Sequence, residues 1–67
     1  MKKHVKKGQI YYDHLFGVFF QVISDISHNS VAIVFMSDSV VNNASIGQTT
    51  NWVVSIVKEA ELVVDAS

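Results

Sequence analysis

The chain contains no cysteine, no proline and no arginine, and each absence closes off a class of protein. Without cysteine there is neither a disulfide framework nor a thiolate zinc site. Bidentate reading of phosphate or guanine is largely arginine work, so a dedicated nucleic-acid reader is disfavoured. Charged residues are scarce at 16%. The three glycines, Gly8, Gly17 and Gly47, stand alone, so no phosphate-cradling loop is present. The longest clean apolar run, Leu15–Phe20, is far short of the roughly 20 residues a membrane helix requires. Polar Tyr11-Tyr12-Asp13-His14 spoils the stretch after the lysines as a signal-peptide core. These features predict a cytoplasmic protein with no membrane contact, for which the acceptor-like Asn43-Ala44-Ser45 has no meaning.

What is present is apolar and β-branched. Three runs, Gly17–Ile26, Val31–Met36 and Trp52–Val57, are rich in Val, Ile and aromatics and are separated by Asp, Asn, Ser and Gly. Such runs suit a pleated surface. The chain is 49% hydrophobic over 67 residues. A chain of this size buries only roughly 60% of the surface its unfolded form exposes, so self-association into a homo-oligomer is the supplement to stability that the composition favours.

Along the chain, residues 1–7 read as a flexible basic arm holding Lys2, Lys3, Lys6 and Lys7, and residues 8–67 as one small domain. After the arm a single lysine, Lys58, faces six acids, so the body is acidic. Strands are predicted over Gln9–Tyr12, Val18–Ser24 (extending toward Ile26), Val31–Ser37 and Thr49–Val57, with a helical turn at Lys58–Glu61 and a closing strand at Leu62–Val64. Ser27-His28-Asn29-Ser30 reads as a tight hairpin turn of residues that tolerate positive φ. Asp38–Gln48 is the long loop, with Val40, Val41 and Ile46 predicted to be partly covered. A rival reading makes 51–65 a helix capped by Asn51, because Trp52, Val53, Ile56, Val57, Ala60 and Val64 share a 3.6-residue face. The stiffness of the valines and isoleucines favours strand. The class is therefore all-β, about five short strands with one helical turn before the last. The alternative is an α+β meander with a C-terminal helix.

Alternation places Val18, Phe20 and Val22 in the core opposite an outward Gln21, and Trp52, Val54 and Ile56 in the core opposite an outward Ser55. That leaves Phe19, Ile23, Val53 and Val57 as an apolar outer face, the predicted surface for a protein partner or a second copy.

The layout of a Gly-led first strand (Gly8-Gln9-Ile10-Tyr11-Tyr12), a loop, a tight hairpin, a longer loop, a Trp-bearing strand and the ending Val57-Lys58-Glu59-Ala60-Glu61-Leu62-Val63-Val64 resembles the small SH3-like β-barrels of bacterial and phage proteins. The resemblance implies a barrel over residues 8–64 and transfers no functional residue. The aromatic–proline groove of eukaryotic SH3 domains and a ribosomal KOW-type signature are both absent.

Chemistry has little to work with. His4, His14 and His28 lie in arm, loop and turn with no paired spacing for a metal. Ser24, Asp25 and His28 carry the letters of a triad without a strained elbow or an oxyanion arrangement. The sequence thus points to a non-enzymatic, cofactor-free protein-interaction module, an accessory or inhibitory factor of phage or mobile-element type. The alternative is a nucleic-acid-associated barrel that uses the four arm lysines through counterion release.

Overall fold

A computed structural model describes residues 4–36 and 46–66. Five strands, β1 (Ile10–Asp13), β2 (Val18–Val22), β3 (Ser30–Phe35), β4 (Thr49–Val53) and β5 (Glu61–Val64), form one antiparallel sheet in the order β4-β3-β2-β1-β5. A short helix, α1 (Val54–Glu59), leads into β5. The small all-β class with a helical turn before the last strand is what the chain adopts.

The most regular part is the β2–β3 hairpin. Ser27 and Ser30 exchange backbone hydrogen bonds at 2.9 and 3.0 Å. His28 and Asn29 between them have φ of +54° and +62°, the conformation of a type I′ turn, whose twist matches that of the flanking strands. Alternation then holds along both strands: Val18, Phe20 and Val22 face inward, as do Val31, Ile33 and Phe35. Trp52 closes the core from β4, 7% exposed, with ring centroids 5.1 Å from Phe20 and 5.5 Å from Phe35. Tyr11 stacks on Phe20 from the other side at 5.5 Å.

The predicted fourth strand is too long. It ends at Val53, and residues 54–59 are helical. The reason lies in the partner strand. β3 begins at Ser30, which pairs with Val53, so beyond Val53 there is no neighbour left to extend the ladder. The Val54 N–H instead donates to the Asn29 carbonyl at 2.7 Å, and the unpaired backbone satisfies itself by curling into a helix. The change of period moves the side chains. Val57 is fully buried at 0% exposure, whereas Ile56 is 49% exposed, the reverse of the strand-based expectation for both. β5 contains the predicted closing strand, with an irregular register against β1 between Ile10 and Tyr11.

The basic arm is also not separate from the body where the structure describes it. Val5 is 5% exposed and belongs to the core, while Lys6 and Lys7 point to solvent. Gln9 explains why. Its buried side chain accepts from the Lys6 N–H at 2.8 Å and the Tyr11 hydroxyl at 2.7 Å, and donates to the His4 carbonyl at 2.9 Å and Asp65 Oδ1 at 2.8 Å. Two acceptor and two donor positions use the full capacity of the amide, and they tie both ends of the domain to β1. Burial, and then the nearby Asp65 carboxylate, hold the Tyr11 phenol above its ordinary value of 10.0.

Lys2, Lys3 and the long-loop residues Val40 and Val41 lie outside the described residues, and Ile46 is half-exposed.

Candidate functional site

The predicted four-residue face does not exist as one patch. Phe19 is exposed on the outer side of β2, beside Tyr12 of β1 at a ring distance of 4.7 Å. Ile23 is half-buried just past the end of β2. Val53 is exposed at the far edge of the sheet. Val57 is core and must be withdrawn from the set. Of the arm lysines, Lys6 and Lys7 are exposed and neither lines the cleft described next.

A different surface gathers four of the ten exposed large apolar side chains. The end of β1 and the loop after it, residues 13–16, together with the β4–α1 junction enclose a cleft of about 510 Å3, within the size range of ligand sites. Its loop wall is built by Asp13, whose Oδ1 accepts from the Leu15 and Phe16 N–H groups at 2.8 and 3.2 Å. The Asp13 carbonyl accepts from the Gly17 N–H at 2.7 Å, and Gly17 closes the loop at φ +70°, where a side chain would be strained. An aspartate that caps its own turn in this way leaves the two following side chains nowhere to go but outward. Leu15 is 85% exposed, and Phe16 is also exposed.

The opposite wall comes from Val53 and α1. Ile56 and Glu59 are three residues apart and so share a helix face, which lines the cleft while Val57 packs inward. Trp52 and Ala60, both nearly buried, complete it. An apolar interior thus stands between two carboxylates, Asp13 and Glu59. The His14 imidazole, also at the rim, meets Glu61 at 2.8 Å and the Tyr12 ring edge-on at 4.8 Å. No lysine, and no histidine but His14, comes within salt-bridge distance of a carboxylate among the described residues, which leaves Asp13 and Glu59 without a cationic partner there.

Among the described residues no group of three or more His, Cys, Asp or Glu side chains is placed to hold a metal, and no helix is long and apolar enough to cross a membrane. Ser24 and His28 do not form a dyad: the Ser24 hydroxyl serves the Ala32 N–H and the Asp25 carbonyl, and His28 Nδ1 meets Ser27. The chain matches no family model, and no curated protein or solved structure is significantly similar to it.

Sequence reasoning missed Leu15, Phe16 and Ile56. The first two carried a signal: two large apolar residues among the three between Asp13 and Gly17 cannot both reach the core. Ile56 carried none until the end of β4 was known, because its exposure follows from the helix.

Proposed function

We propose that the chain is a non-enzymatic protein-interaction module, built on an SH3-like strand layout, that binds a segment of another protein in the cleft between the Asp13–Phe16 loop and the β4–α1 junction. The observation that carries the reading is the convergence of four of the ten exposed large apolar residues, Leu15, Phe16, Val53 and Ile56, on one cleft. In a chain this small, large apolar side chains held in water by a hydrogen-bonded loop do not serve folding, so a use in binding accounts for them. The carboxylates at the rim favour a basic or neutral partner, and nucleic acid fits an acidic rim poorly. Regulation of a host or partner protein is a role open to such a module, and the cleft supports it by offering recognition without chemistry.

The test is selection of peptides from a random displayed library on the immobilised protein, repeated with Ile56→Asp. Enrichment of a common motif on the wild-type protein, lost on the folded variant, supports the reading. Absence of any motif, or the same motif on both proteins, contradicts it.

A further inference from the structure

The cleft is lined by three consecutive residues of β4, Asn51, Trp52 and Val53. Neighbouring strand residues point to opposite faces of a sheet, so a cavity touched by all three does not lie on either face. It runs along the edge of the strand. β4 is the terminal strand of the sheet, paired only with β3 among the described residues.

Which backbone groups that edge presents follows from the ladder. Met36 donates its N–H to the Phe19 carbonyl, and Ile23 donates to the Ala32 carbonyl, both at 2.9 Å. Ala32, Val34 and Met36 therefore direct their main-chain groups toward β2, and the intervening Val31 and Ile33 direct theirs toward β4. In register these two meet Trp52 and Thr50, which return the bonds to β3. By the same alternation Thr49 and Asn51 turn their N–H and C=O groups away from β3, toward the open edge, and Val53 turns its N–H there while its C=O caps the first turn of α1. At Asn51 and Val53 that edge is the cleft.

We infer that the cleft binds its partner by strand addition: an extended segment pairs with the N–H and C=O of Asn51 and the N–H of Val53 as a sixth strand. The inference rests on the protein-binding reading above and specifies its geometry and ligand. Alternate side chains of an added strand fall on opposite sides. One set enters the apolar space between Phe16 and Ile56, and the set between them reaches the rim carboxylates Asp13 and Glu59. The occupant is thus a segment of another protein in which apolar residues alternate with lysine or arginine, chosen by rim carboxylates that have no cationic partner among the described residues. The other free edge, β5, suits this role less well, since its irregular register against β1 disfavours regular edge pairing.

The test titrates the isotope-labelled full chain with short acetylated peptides in which lysine alternates with valine or phenylalanine, followed by NMR. Three comparison sets are glutamate-for-lysine peptides, peptides N-methylated at alternate residues, and peptides selected from the displayed library. Strand addition predicts shifts at Phe16 and Ile56 and slowed amide exchange at Asn51 and Val53. It also predicts about tenfold weaker binding on N-methylation of the pairing residues, as one or two backbone hydrogen bonds are lost. Glu59→Gln, a surface change that leaves the fold intact, weakens the lysine peptides and reduces their salt dependence. Shifts at Phe16 and Ile56 with unchanged exchange at Asn51 and Val53, and indifference to N-methylation, overturn strand addition while leaving the protein-binding reading in place. Binding of library-selected peptides but of no lysine-alternating peptide overturns the proposed ligand. Failure of every peptide overturns the inference together with the reading beneath it.

Discussion

Ile56 and Val57 are adjacent, and the helix sends one to the cleft and the other to the core. Their aspartate variants should therefore behave oppositely. Val57→Asp places an uncompensated charge in the hydrophobic core and should cost about 3–5 kcal/mol, enough to unfold a domain this small. Ile56→Asp should change stability by no more than about 0.5 kcal/mol. Urea denaturation of the pair checks this, and a stable Val57→Asp protein would restore the outward reading of that residue. Tyr11 gives a second prediction at this scale. Its phenol is held protonated above its ordinary value of 10.0, so in alkali the unfolded chain loses that proton before the native one does. Fewer protons are then bound to the unfolded state than to the native state, and stability falls as pH rises. The contribution is complete below pH 10 and is lost as pH climbs through the raised value. Denaturation midpoints measured from neutral pH upward should fall more steeply for the wild type than for Tyr11→Phe. The variant starts about 1 kcal/mol lower because Gln9 loses a donor.

At the scale of elements, the β2–β3 hairpin rests on a turn whose residues are only moderately suited to it. His28 and Asn29 both sit at positive φ, where Asn-Gly is the preferred pair. The double change His28→Asn with Asn29→Gly should stabilise by about 1 kcal/mol, a rise of about 4–8 °C in melting temperature for a chain of this length. An unchanged melting temperature would mean that the turn carries no strain. This hairpin was legible in the sequence because everything that defines it is local: β-branched alternation on both sides of Ser27-His28-Asn29-Ser30. The end of β4 was not legible, because it is fixed by where β3 starts in space and not by residues 54–57. Val54, Ile56 and Val57 favour strand intrinsically, and the loss of a pairing neighbour outweighs that preference. The cleft was half legible for the same reason. Its loop wall follows from Asp13-His14-Leu15-Phe16-Gly17, while its helical wall depends on the unforeseen helix.

The described residues form a single sheet with one short helix, and Gln9, just before β1, binds both His4 and Asp65. Nothing in the sequence around Gln9 announces this, since one glutamine before a strand is an ordinary residue until its four partners are known. Deleting residues 1–7 removes Val5 from the core and strips Gln9 of two of its bonds. Thermal melting of the truncated chain should reveal a loss of roughly 3 kcal/mol, and an unchanged melting temperature would show that the segment is an independent arm after all. With the core closed in this way, the side chains left exposed at the cleft are free for a partner. The most direct measurement of that claim is the affinity of a library-selected peptide for the wild type and for Ile56→Asp, each shown to be folded by its urea midpoint. The account predicts equal midpoints and at least about a tenfold loss of affinity in the variant, an apolar contact exchanged for a buried carboxylate. Equal affinity at equal midpoints would show that the partner binds elsewhere and that the cleft is not the site.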